Sequence, residues 1–234
     1  MSLSSSLAIL SLSFFLAQSG AAEEITVAAA ADLATVEPVL AAAFEKANPT
    51  IKVRFVTGAS AALAQQIEQG APFDVFLSAN IDLVEQLHLD GARMYTVGHV
   101  AALWRDGKPH DLNELTSAQV RFIALPNPKL APYGAAAQEA LRKLGLWEKV
   151  QPKVVYGENV RQTLQLFDSG NADVVLTAAS LVIDRHPLMI PSRVLQKGGI
   201  VRASKEKRGA GEFLDWLVSA PAQQILGGFG FDKP

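Results

Sequence analysis

The chain has 234 residues, 49% hydrophobic and 19% charged, with a formal net charge of −2 and no cysteine. That length suits one large domain or two small ones. The charge balance offers no basic surface for nucleic acid and no polybasic run for anionic lipid. The lack of cysteine excludes disulfides, thiolate metal sites, a cysteine nucleophile and a lipid-modified N-terminal cysteine.

The first 22 residues read as a cleaved signal peptide. Leu7 to Ala17 is an apolar stretch too short to span a bilayer, which takes roughly 20 residues. Ser19-Gly20-Ala21 or Gly20-Ala21-Ala22 supplies a small-x-small cleavage site, although MSLSSS carries no Lys or Arg. The mature chain is expected to begin near Ala22 or Glu23 and to be periplasmic. Residues 25–31 are a first strand, and Leu33, Val36, Val39, Leu40 and Phe44 predict a helix over 33–46. Strand 51–57, helix 60–69, strand 73–78 and helix 80–88 follow. A second unit starts near His99, with strand 99–105 and a short helix over 111–118 opened by Asp111. Strand 121–125, helix 134–145, strand 153–157, helix 160–168 and strand 173–177 continue the alternation. Residues 194–203 cross back as a strand, Gly209-Ala210-Gly211 precedes helix 212–219, and Pro221 opens a last helix to about Leu226. This is an α/β chain of two lobes, 24–97 plus 197–234 and 98–196, joined by two hinge crossovers.

One local pattern recurs four times, in ITVAAAADLATVEPVL (25–40), VRFVTGASAALAQQIEQG (53–70), RFIALPNPKLAPYGAAAQEALRKLG (121–145) and KVVYGENVRQTLQLF (153–167). A strand-like run ends and a small or polar residue opens a helix. The first helical N–H groups lack intrahelical acceptors there, and the helix dipole is positive. Strand-to-helix loops of an open parallel sheet converge at one edge, so four such ends make a site for a small anion held by backbone and hydroxyl groups.

At these motifs the chain resembles the periplasmic molybdate-binding proteins of ABC transporters. The resemblance lies in AAAADL (28–33), TGASAALAQQIEQGAPFDVFLSAN (57–80), PYGAAAQEALRKLGLW (132–147), GENVRQTLQLFDSGNADVVLTAASLV (157–182) and SAPAQQILGGFGF (219–231). It implies a type II periplasmic-binding-protein fold, each lobe a mostly parallel sheet flanked by helices. It also implies molybdate or tungstate captured for a membrane permease. The metal enters as the oxyanion, with no protein ligand to it, no cofactor and no catalysis, and the protein is expected to be a monomer. By position, Ser60 corresponds to a serine that binds the anion through hydroxyl and N–H. Tyr133 and Val160 correspond to main-chain donors. Asp32 stands where many members have serine, and Ala178 where some have a tyrosine whose hydroxyl reaches the anion.

The residues themselves bear on each of these. Ser60 either caps its own helix or, with Gly58, Ala59 and Ala61 leaving the backbone open, meets the ligand. Tyr133, between Pro132 and Gly134, is expected in a turn, contributing an N–H or its phenol and standing in for the tyrosine lost at Ala178. Val160 has only its N–H to offer, with Asn159 as its cap. Arg161 is expected to be a solvated side chain. Asp32 is expected to cap the helix opening at Leu33, which would lower its pKa and keep it charged. The alternative turns its carboxylate into the cleft. Two like charges within about 4 Å repel by about 4 kcal/mol at an effective dielectric of about 20, so a shared proton would then be needed. Five hydrogen bonds to a charged group supply about 8–15 kcal/mol before association costs, against the roughly 8 kcal/mol of micromolar binding. A different oxyanion or small organic anion is the alternative ligand. An enzyme on this fold finds little support, because His88, His99, His110 and His186 are scattered and Ser180 with His186 is the only nearby pair.

Overall fold

A computed structural model of the protein describes residues 22–108 and 110–234. The expected signal peptide falls outside the described residues except for Ala22. In chain order the first lobe contains β1 (Glu23–Ala30), a 3-10 turn (Ala31–Leu33), α1 (Glu37–Ala47), β2 (Ile51–Gly58), α2 (Ser60–Glu68), β3 (Val75–Ser78), α3 (Ile81–Gln86) and β4 (Asp90–Gly98). The second holds β5 (Val100–Trp104), a 3-10 turn (Leu112–Thr116), β6 (Ile123–Pro126), α4 (Pro132–Lys143), α5 (Trp147–Val150), β7 (Val154–Gly157), α6 (Val160–Asp168), β8 (Val174–Ala178) and β9 (Leu188–Met189). The chain then returns to the first lobe with β10 (Val194–Ile200), α7 (Lys207–Leu217) and α8 (Ala220–Gly228).

The two sheets follow one plan. Their strand orders are β2-β1-β3-β10-β4 and β7-β6-β8-β5-β9. In the first, β10 is antiparallel to both neighbours, and the other strands share one direction. In the second, β5 is the reversed strand. Each reversed strand is the one that receives the chain from the other lobe. Central strands are buried on both faces, which is why β1 reads as an apolar run without alternation: Ile25, Val27, Ala28 and Ala29 are fully buried. The first lobe packs Phe44 edge-on against Phe213 and Trp216, at ring-centroid distances of 5.2 and 5.4 Å. The second buries Trp147, Phe167, Leu141 and Val150. Ala30, Ala31 and Ala79 of the first lobe join that second core, so the lobes are packed face to face. The crossings lie side by side: Ser192 Oγ accepts the Val100 N–H at 2.8 Å, and its carbonyl meets His99 Nδ1 at 2.7 Å.

Several elements differ from expectation. The helix expected over 33–46 is a 3-10 turn followed by α1, because Pro38 has no N–H and its ring tolerates only the first helical turn. α4 begins at Pro132, so Tyr133 lies in a helical first turn and not in a connecting turn. α7 begins at Lys207 and runs through 209–211, because the Glu23 carboxylate accepts the Gly209 N–H at 2.8 Å and so satisfies an early turn. β4 is an edge strand whose burial does not alternate, and the sequence pattern does not predict it. Asp111 does cap its 3-10 turn, accepting from Asn113 N at 2.7 Å. Among the described residues, no helix is long and apolar enough to cross a membrane.

Candidate functional site

The carboxyl ends of the strands in both sheets meet at a small cavity between the lobes. The first lobe lines it with Ala30, Ala31, Asp32, Gly58, Ala59, Ser60 and Ala79. The second contributes Leu130 to Tyr133, Asn159 and Val160. None of these is a lysine, arginine or histidine. A wider open groove of about 690 Å³ adjoins it, lined by Thr35, Thr57, Arg161, Gln162 and Asp168 among others. The structure therefore brings Asp32, Ser60, Tyr133 and Val160 together. Ala178 is fully buried at the end of β8, paired with Val100, and does not line the cavity.

Local chemistry decides which N–H groups face the cavity unpaired. In α2 the N-cap is Ala59, which has no side chain to cap with, and the first intrahelical bond runs from Leu63 N to Ala59 O. Ser60 is thus the first residue of its helix and not the cap. Its N–H and those of Ala61 and Ala62 have no acceptor among the described residues. Its hydroxyl oxygen accepts the Ala79 N–H at 3.3 Å, leaving the hydroxyl proton to donate elsewhere. In α6, Asn159 Oδ1 accepts from Arg161 N and Gln162 N at 2.9 and 3.0 Å, and Thr163 N bonds to Asn159 O. That leaves the Val160 N–H open. In α4, Pro132 has no N–H, and Gly134 N and Ala135 N both donate to Ala131 O at 3.0 and 3.2 Å. That leaves the Tyr133 N–H open. Each second-lobe helix therefore presents one backbone donor to the cavity, through different local chemistry.

Asp32 does not cap a helix. It lies inside the 3-10 turn, whose N-cap is Ala30, and no side chain caps that turn. Its side chain is 1% exposed and turns toward the other lobe. Oδ2 accepts from the Tyr133 phenol at 2.7 Å and from Gln196 Nε2, while Oδ1 is buried without a partner among the described residues. Burial pushes the Asp32 carboxyl above the usual range, opposed by the hydrogen bonds from Tyr133, Gln196 and its own backbone. The expected lowering by helix N–H groups is thus reversed. Burial, with the Asp32 charge adding to it, drives the Tyr133 phenol well above its ordinary value, and the same causes act on Tyr95. The Tyr133 phenol is spent on Asp32, so only its N–H is available to a ligand.

The network extends beyond the residues found from sequence. Gln196 Oε1 accepts from Tyr95 OH at 2.5 Å, so β4, β10, the β1 turn and α4 meet in one buried cluster. Gln196 was legible in principle: VLQKGGI alternates, and Val194, Gln196 and Gly198 share its buried face. Ser180 Oγ donates to the Asp32 carbonyl at 2.7 Å, and Thr35 Oγ1 donates to the Ser180 carbonyl at 2.8 Å, across the lobes. Ser180 is therefore engaged away from His186. Arg161 stays outside the cavity, 3.4 Å from Thr57 Oγ1 across the groove. Among the described residues, no group of three or more histidines or carboxylates is arranged to hold a metal ion.

Comparison with known proteins agrees with this architecture. The chain is 32% identical to the molybdate-binding protein ModA of Rhodobacter capsulatus, over 95% of this chain and 93% of that protein. It is 33% identical to the putative ABC transporter substrate-binding lipoprotein YvgL of Bacillus subtilis, over 88% and 85%. The structure of the Azotobacter vinelandii periplasmic molybdate-binding protein superimposes with a TM-score of 0.81 at 28% identity, covering 90% of this chain and 99% of that one. A family model for bacterial extracellular solute-binding proteins matches residues 25–232, and the chain belongs to that family of binding proteins.

Proposed function

We propose that this protein captures molybdate or tungstate outside the cytoplasm and delivers it to the membrane permease of an ABC transporter. One observation carries the reading: helix first turns from both lobes leave N–H donors unpaired around a single cavity whose lining has no cationic side chain. Such a site suits a compact oxyanion with acceptors on every side. In this reading the Ser60 hydroxyl and N–H hold the anion from the first lobe, and the N–H groups of Tyr133 and Val160 hold it from the second. Asp32 lines the same cavity and carries one carboxylate oxygen without a partner among the described residues. Ala178 supports the β8 end and does not touch the ligand. The relatives named for molybdate favour this anion over sulfate or phosphate. Donors from both sides reach one ion only with the lobes together, so loading coincides with closure about the crossings near residues 98 and 193. The anion is carried rather than held as a cofactor.

A thermal-shift and calorimetric panel of molybdate, tungstate, sulfate and phosphate tests this. A ligand that binds the folded state alone raises stability by RT ln(1 + [L]/Kd). Both metalates should raise the melting temperature, and sulfate and phosphate should do little. Heat with another anion and none with either metalate would remove the metalate assignment.

A further inference from the structure

The buried carboxyl of Asp32 is an unusual wall for an anion site. Its Oδ2 is saturated by donors from two elements, the Tyr133 phenol of α4 and the Gln196 amide of β10. Oδ1 has no partner among the described residues, and Asp32 lines the cavity. The other groups facing it are Tyr95 on β4, engaged with Gln196, and the Ser180 hydroxyl, engaged with the Asp32 carbonyl. No basic side chain lines the cavity, and Arg161 acts on Glu37 and Thr57 outside it.

An ionised carboxylate offers only lone pairs, as does the oxygen of an oxyanion. Brought together in a cavity with no cation, the two acceptors need a proton between them, as two carboxylates sharing one site do. We propose that the loaded site holds one proton between Asp32 Oδ1 and an oxygen of the bound anion, taken from solvent as the anion enters. Asp32 is then a hydrogen-bond donor to the ligand, and capture is coupled to protonation. The upward shift of the Asp32 carboxyl by burial acts in the same direction. The inference rests on the cleft being the oxyanion site.

Calorimetry of sodium molybdate binding to the purified protein, from pH 6 to 9 in buffers of differing ionisation enthalpy, counts the protons. The expected result is uptake approaching one proton at the alkaline end, with affinity falling toward about tenfold per pH unit there. Asp32→Asn places an amide N–H where protonated Oδ1 would carry its O–H. It should bind without proton uptake, with affinity flat across the range and above wild type at pH 9. Asp32→Ser should likewise lose the pH dependence. Molybdate binding in wild type with no proton uptake and a flat profile overturns the inference and leaves the metalate reading standing. So does uptake that persists in Asp32→Asn, since the proton then belongs to another group. Absence of heat with molybdate and tungstate at every pH removes the metalate reading and this inference with it. If neither variant folds, the wild-type proton count decides.

Discussion

In both lobes the outermost parallel strand ends in glycine and hands a helix to the cleft, Gly58 before α2 and Gly157 before α6. The surroundings of the two glycines differ. The three atoms nearest a Cβ at Gly58 all belong to the Leu63 side chain, at 3.4 Å or more, an ordinary contact. A Cβ at Gly157 would overlap Thr163 Oγ1 and lie 2.7 Å from the Thr163 N. The caps differ in the same sense. Ala59 leaves a whole first turn of α2 unpaired, whereas Asn159 ties down two N–H groups of α6 and leaves one. At these two helix ends, α2 of the first lobe offers a looser cluster of donors with a hydroxyl among them, and α6 of the second a tightly packed end with one fixed donor. A shared topology dictates where the helix ends point, and two or three local residues decide how many hands each end has.

Substitutions can break this contrast, beginning with the largest expected effect. Ser60→Ala removes a hydroxyl from the loose side and should weaken oxyanion binding by about 1.5–3 kcal/mol, as for one hydrogen bond to a charged group; an unchanged isotherm would move the first-lobe contact elsewhere. Gly157→Ala overpacks the tight side and should destabilise the fold by about 1–3 kcal/mol in denaturant unfolding. Gly58→Ala should stay within about 1 kcal/mol of wild type, so equal losses at the two glycines would erase the proposed difference. Asn159→Ala should lower stability by about 1 kcal/mol through loss of its cap, read by the same unfolding curves.

Much of the layout of the candidate site was legible because its open N–H groups come from local chemistry. Val160 after an asparagine, and Ser60 after Gly-Ala, announce helix starts in a few consecutive residues. Asp32 was misread for the converse reason. Asp before Leu is a good local cap signal, but the side chain is claimed by Tyr133, 101 positions away, and by Gln196, 164 away. Burial among those partners outweighs capping of a three-residue turn. Tyr133 was drawn into a turn by Pro132 and Gly134, yet proline at the head of a helix and glycine against β6 serve a packed first turn equally well. β4 escaped notice because its partner β10 lies about a hundred residues on, and its own residues alternate weakly.

The absence of a lysine or arginine from the cavity lining has a consequence for how an anion reaches it. Charged walls pull counter-ions from a distance, and salt weakens that pull within a Debye length of about 8–10 Å. Helix-end dipoles act within about one turn and only once the anion has shed its water. Under the proposed function, arrival of the anion is governed by ordinary diffusion and retention by contact. Salt would then act on loading through the net charge of −2 and through Arg161 in the adjoining groove, and not through a basic cavity wall.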